Sequence, residues 1–129
     1  MRPPRETEIM EIEEFYKKTG GSYAEVSKRI PSLSLAERFI SKFLKDKSFE
    51  DLSAKMKSGD RKGAFLAVHT LKGVCANLGF GALKDSCSNL CEELRGEGEE
   101  ITEAANAFMK DVERYYYITV EAIGEYLNK

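Results

Sequence analysis

The C-terminal part of the chain carries a repeating pattern that restricts the fold more than any other feature. From residue 101 onward, mostly apolar residues recur in alternating steps of four and three: Ile101, Ala105, Phe108, Val112, Tyr115, Thr119, Ala122 and Tyr126. That spacing places them along one side of an α-helix of about seven turns. A long helix with one apolar side must be covered by other helices, so the pattern predicts a helical bundle.

The rest of the chain is also predicted to be helical. Proline occurs only at positions 3, 4 and 31, and glycines cluster at 20–21, 79–81 and 96–98, where helices are expected to end. Amphipathic patterns between these breaks predict six further helices, over residues 6–18, 22–29, 34–45, 48–57, 61–78 and 82–95. The segment 48–57 either forms its own helix or continues the preceding one after a kink.

The lengths of these segments indicate how they are arranged. Short loops between long amphipathic helices favour antiparallel neighbours. We therefore expect an all-α protein, an up-down antiparallel four-helix bundle with one or two short helices at its N-terminal end. At 129 residues one domain is the default. We expect it to span residues 1–129, with the core bundle at about 30–129 and a helical extension at 1–29.

Polar residues mark several predicted helix boundaries. Ser22, Ser34 and Ser48 are each followed three residues later by an acidic residue, which is the pattern of a capping box. Asp60 is placed to cap the helix at 61–78, and Gly79 or Gly81 to end it.

The charge balance excludes some classes of partner. The chain has 20 basic and 22 acidic residues, a formal net charge of −2, which gives no support to binding of nucleic acid or membranes. It has neither an apolar run of about 18 residues nor the apolar core of a signal peptide. We therefore expect a cytoplasmic location. A net charge near zero and a complete intramolecular bundle also favour a monomer.

The three cysteines fit a reduced compartment and a structural role. Cys87 and Cys91 lie one turn apart on the apolar side of a predicted helix, where small apolar residues pack in the core. A metal pair would need a third ligand, which the sequence does not offer. A disulfide between them is disfavoured by helical geometry. We expect no metal site.

The chain has one histidine, His69, in the middle of the predicted helix 61–78. At about 100° per residue the imidazole points away from the apolar side of that helix, which is formed by Ala64, Ala67, Leu71, Val74, Cys75 and Leu78. Gly73 lies beside it one turn later, although glycine within a helix costs about 1 kcal/mol relative to alanine. That cost indicates that something approaches the ring closely; close helix packing at Gly73 is the alternative. A lone histidine on an exposed helix side is otherwise most often just solvated.

The residues around His69 suit one kind of chemistry. Neutral imidazole is a competent nucleophile near pH 7. Lys72, and Lys62 two turns before His69, share its side of the helix and add the positive charge that phosphoryl transfer requires. Asn77, at the edge of this side, is a candidate supporting residue. The sequence has no catalytic triad spacing and no glycine-rich phosphate loop after a strand, so a phosphoryl carrier fits better than a kinase.

These residues also carry a family resemblance. The run His69-Thr70-Leu71-Lys72-Gly73, followed by Ala76-Asn77-Leu78-Gly79-Phe80, resembles the signature of histidine-containing phosphotransfer (HPt) domains. The resemblance implies a helical bundle that relays phosphoryl groups between receiver-domain aspartates in two-component signal transduction. His69 would be the phosphoryl acceptor, Lys72 would stabilise phosphate charge and Gly73 would give access to the imidazole.

The resemblance also implies partners but no cofactor in this chain. The partners would be receiver domains of response regulators or of a hybrid sensor kinase, and a magnesium ion would belong to the receiver. A receiver domain would dock on an apolar patch around the histidine. The contact candidates here are Phe65, Leu66, Gly73 and Ala76, with Lys62 nearby. Alternatively, the N-terminal helices cover Phe65 and Leu66.

Two other functions remain open from the sequence. A helical adaptor would bind receiver domains through the same surface without phosphotransfer. A histidine-bearing domain excised from a larger sensor kinase would also carry such a helix, but this chain shows no ATP-binding region.

Overall fold

A computed structural model describes residues 2–129, and this range contains seven α-helices and no strand. The helices are α1 (Glu6–Lys18), α2 (Tyr23–Arg29), α3 (Leu33–Phe43), α4 (Ser48–Ser58), α5 (Arg61–Leu78), α6 (Gly81–Leu94) and α7 (Glu103–Leu127). None of them is both long and apolar enough to cross a membrane.

Helices α4 to α7 form an up-down antiparallel bundle, which confirms the predicted fold class. Arg61 at the start of α5 donates hydrogen bonds to the carbonyls of Glu93 and Leu94 at the end of α6. The ring of Phe49, at the start of α4, stacks on Tyr116 in the second half of α7 with centroids 3.8 Å apart. The first contact joins the start of α5 to the end of α6, so these two helices run in opposite directions. Helices α4 and α7 are also antiparallel, because Met56, two turns after Phe49 in α4, lines a surface pocket with Met109, two turns before Tyr116 in α7.

The core follows the predicted apolar sides with shifts on α7 and α5. On α7, Met109 and Ile123 are buried although the predicted pattern omits them, whereas Phe108 and Tyr115 are only half-buried. Ala64, Ala67, Leu71, Cys75 and Leu78 are buried as predicted. Val68 is also fully buried, whereas Val74 is only half-buried. Val68 lies on the side of α5 that also carries Arg61, so the buried side is rotated towards α6.

The starts of α3 and α4 correct two predicted caps. Helix α3 ends at Phe43, and Asp46 in the turn accepts a 2.8 Å hydrogen bond from the backbone N–H of Ser48. Helix α4 is separate from α3, and Ser48 is its first residue rather than its cap, which is at Lys47. Ser34 does not cap α3 either, since Ser32 has the extended backbone a cap requires and its hydroxyl accepts from the N–H of Leu35.

Three other predicted helix boundaries hold, whereas the predicted start of the last helix does not. Ser22 caps α2, and Asp60 caps α5 by accepting a 2.9 Å hydrogen bond from the N–H of Gly63. Gly79 ends α5 in the left-handed conformation with φ of 79°. Thr102 caps α7, so Ile101 lies just outside the helix in which it was predicted.

The two N-terminal helices pack against the end of α5. Its last carbonyls have no partner within the helix, and residues of α1 and α2 supply donors instead. The Tyr16 hydroxyl donates to the carbonyl of Leu78 at 2.9 Å, and the Arg29 guanidinium donates to those of Ala76 and Asn77 at 3.1 and 3.4 Å. This arrangement holds the C-terminal end of α5 in place.

The turn after α1 meets the turn after α5 through glycine backbones. A Cβ atom added to Gly21 would overlap the carbonyl oxygen of Gly79, and one added to Gly79 would overlap the side chain of Val26. The close approach therefore needs glycine at both positions.

Candidate functional site

His69 is held on the outer side of α5 by its buried neighbours. Val68 and Leu71 are fully buried, so the rotation of the helix is determined by the core. The imidazole itself is exposed. Within residues 2–129 the side-chain hydrogen bonds donated from α5 come from Arg61 and Thr70, not from the imidazole. A partner can therefore reach the imidazole without first breaking a hydrogen bond that the ring donates.

The aromatic side chain one turn before His69 lies parallel to it. The Phe65 ring and the imidazole are inclined by 5°, with centroids 6.1 Å apart. Phe65 is half-buried, and the Arg95 guanidinium lies 5.4 Å from its centroid. Arg95 is a cation near the site that the sequence did not indicate, because it follows α6 and no helical spacing relates it to His69.

The predicted contact residues lie together around the histidine. Leu66 is 61% exposed, and Gly73 and Ala76 are also exposed. The N-terminal helices pack at the far end of α5, so the alternative that they cover Phe65 and Leu66 is wrong. The chain thus presents an apolar residue to solvent directly beside its only histidine.

Gly73 has no packing reason within the described chain. A Cβ atom added there would meet no atom within 4 Å. Close helix packing, the alternative role for Gly73, is therefore wrong. Glycine at this position lowers the stability of the helix by about 1 kcal/mol relative to alanine. The missing side chain leaves open space only at the outer surface of the protein.

Two lysines and an asparagine complete the predicted set. Lys72 is half-buried and Lys62 is exposed, and neither forms an ion pair with any residue from 2 to 129. Asn77 is exposed at the edge of this side, and its backbone carbonyl is the group bonded by Arg29. The structure therefore brings His69, Lys72 and Gly73 together, with Lys62 two turns before and Asn77 two turns after.

The cysteines offer no competing nucleophile. Cys75, Cys87 and Cys91 are all free and buried. A hydrogen bond with Cys87, together with burial, raises the pKa of the Cys75 thiol. A buried thiol that stays protonated is unreactive. Among residues 2–129, no group of three or more histidine, cysteine or acidic side chains is arranged to hold a metal ion.

Comparison with known families agrees with the motif. The family model of the Hpt domain matches residues 36–117, which is well over half of the chain. The chain belongs to the Hpt domain family. No curated protein and no solved structure matches it.

The range matched by the family model covers the middle of the fold. It contains α4, α5 and α6 in full, whereas α1 and α2 lie outside it. Hpt domains take part in histidine phosphotransfer within two-component signalling, where they act as carriers and interact with receiver domains. That role applies to this chain at the level of the family.

Proposed function

We propose that His69 accepts a phosphoryl group from the aspartate of one receiver domain and passes it to the aspartate of another. The observation that carries this proposal is the position of the only histidine. It lies within the range matched by the Hpt family model, on an exposed side of a helix whose rotation is determined by buried neighbours.

The chemistry needs little from the rest of the chain. The unprotonated ring nitrogen forms a bond to phosphorus while the bond from phosphorus to the aspartate oxygen breaks, and the aspartate leaves as a carboxylate. The reverse sequence at a second receiver returns the histidine to its free form. Such a transfer depends mainly on positioning and on charge stabilisation.

Five neighbours of His69 have proposed roles. Lys72, one turn away, pairs with the oxygens of the transferred group, and its lack of an ion-pair partner leaves it available. Gly73 leaves room for the incoming aspartate. Leu66, with Phe65 and Ala76, forms the apolar contact to the receiver.

The chain acts in this proposal as a carrier rather than an enzyme. It supplies no nucleotide site, and the magnesium ion that assists transfer is held by the receiver domain. We propose further that residues 1–129 form one folding unit, in which α1 and α2 support the end of α5.

The test is transfer from a phosphorylated receiver domain to the wild-type chain and to His69→Gln. We expect mass spectrometry to place one phosphoryl group on His69 and none on the variant. Because His69 is exposed, the variant should keep the wild-type helical signal and unfolding midpoint. A variant that is labelled as well as the wild type would refute the proposal. Receiver binding by both proteins without any phosphohistidine would instead establish the adaptor.

A further inference from the structure

The small net charge conceals a strong separation of charge along the chain. Residues 28–80 contain 11 basic and five acidic residues, a net charge of +6. Residues 81–129 contain five basic and 11 acidic residues, a net charge of −6. The first segment forms α3, α4 and α5, so the histidine helix belongs to a positive half of the bundle.

A groove borders α5 within this positive half. It has a volume of about 460 Å³ and is enclosed by α3, the end of α2 and the last turns of α5. Its lining is apolar at Phe39, Phe43 and Val74, and the exposed cations Arg29 and Lys42 border it. One carboxylate, Asp46, also lines it and accepts a hydrogen bond from the backbone N–H of Ser48, so the two cations leave the lining with a net positive charge. Such a lining suits a segment that is both apolar and acidic.

The groove is continuous with the surface that carries His69. At about 100° per residue, Gly73, Asn77 and Val74 follow His69 around α5 at about 40°, 80° and 140°. Gly73 and Asn77 are exposed, and Asn77 and Val74 line the groove. A partner that covers His69 and Gly73 therefore reaches the groove without a gap.

The cations beside the groove are not neutralised within the described chain. Arg38, Lys42 and Lys45 follow one side of α3 and its final turn at spacings of four and three, and all are exposed. None of them forms an ion pair with residues 2–129, whereas Lys47 pairs with Glu50 and Lys55 with Asp60 elsewhere in the same half. Their field therefore extends into solvent.

We propose that this groove extends the docking surface of His69 and receives an acidic and apolar segment of the receiver domain. The inference rests on the proposed function and adds the charge of the partner's face. A receiver is favoured over nucleic acid because the groove is mostly apolar and the opposite half of the molecule is negative. Unpaired cations at its border attract the receiver's negative face and speed the encounter.

The test compares charge reversals on the two halves. Lys42→Glu places a negative charge at the groove, and Lys110→Glu makes the same change at an exposed lysine of α7. The probe is the receiver domain that phosphorylates the wild-type chain fastest among those of the same organism. The measurements are the Kd of the unphosphorylated receiver and the kcat/KM of transfer, at low and high salt.

We expect Lys42→Glu to weaken binding and lower kcat/KM about fivefold at about 50 mM salt, and less than about twofold at about 500 mM, because salt screens the field. Lys42→Arg should behave as the wild type, and Lys110→Glu should change either quantity by less than about twofold. The rate at saturating receiver should stay unchanged in Lys42→Glu, since the reacting groups are untouched.

Each contrary outcome has a distinct meaning. Equal effects of the two reversals, or a salt-independent effect at Lys42, would overturn the docking groove while leaving transfer to His69 intact. A wild-type chain that binds no receiver at all would overturn both proposals. Binding of a duplex DNA probe that is lost in Lys42→Glu, with receiver binding unchanged, would assign the positive half to nucleic acid and overturn the inference.

Discussion

Replacing Gly73 by alanine should make the protein more stable and less active. Gly73 lies within α5, has no positive φ and would gain a Cβ atom that meets nothing within 4 Å. The substitution therefore removes the entropic cost of glycine without creating a clash. We expect a gain of about 1 kcal/mol in the free energy of unfolding and a rise of about 4 °C in Tm.

The same methyl group should obstruct phosphotransfer. It would project into the space beside the imidazole, where in the proposed transfer the receiver aspartate approaches within bonding distance. A small displacement of reacting groups is costly, so we expect transfer to His69 to slow on the order of tenfold. The assays are urea unfolding followed by circular dichroism, and the initial rate of transfer from a phosphorylated receiver.

Gly124→Ala provides a matched control. Gly124 lies in α7, and a Cβ atom added there also meets nothing within 4 Å. Alanine should stabilise the chain at this site too, by slightly less because the helix ends nearby, and should leave transfer unchanged. If Gly73→Ala is stabilised but transfers at the wild-type rate, access is not the reason for the glycine. If it is destabilised, the space beside Gly73 is not open.

Three further predictions concern the site and its support. Lys72→Ala should slow transfer or shorten the phosphohistidine lifetime about tenfold, and Lys62→Ala should have a smaller effect. Equal values for the wild type and Lys72→Ala in both assays would remove Lys72 from the mechanism. Tyr16→Phe should lower the free energy of unfolding by about 1–2 kcal/mol, because the Leu78 carbonyl loses its donor, and an unchanged urea midpoint would contradict this. Removal of residues 1–29 should lower the free energy of unfolding by at least about 3 kcal/mol, measured in urea. The last carbonyls of α5 would lose their hydrogen-bond donors, and aromatic rings of the core would become exposed. Equal stability would show that the extension is a separate unit.

The periodic part of the fold was predictable because it depends on short-range spacing. The bounds of α5 agree with the prediction, since Asp60 and Gly79 are strong local signals at its two ends. The caps predicted at Ser34 and Ser48 were wrong because Ser32, two residues earlier, caps α3, and because α4 begins at Ser48 itself, whose backbone N–H is bound by Asp46. Local sequence alone does not decide between such competitors.

Features that depend on tertiary contacts could not be predicted. The helical wheel of α5 left out Val68 because it does not show that the core is displaced towards α6. Arg29 and Tyr16 bond the end of α5 from 47 and 62 residues away, so no sequence spacing connects them to it. The set of residues around His69 was accessible because it lies on one helix, whereas Arg95 arrives from another.

The openness of His69 has a second consequence. A ring nitrogen that a receiver can reach without moving any part of this chain is equally open to water. A phosphoryl group carried there would be exposed to solvent, with Lys72 as the nearby cation. The time for which the signal persists would then depend on how soon the next receiver arrives. A carrier of this kind would transfer the phosphoryl group soon after receiving it and would not hold it for long.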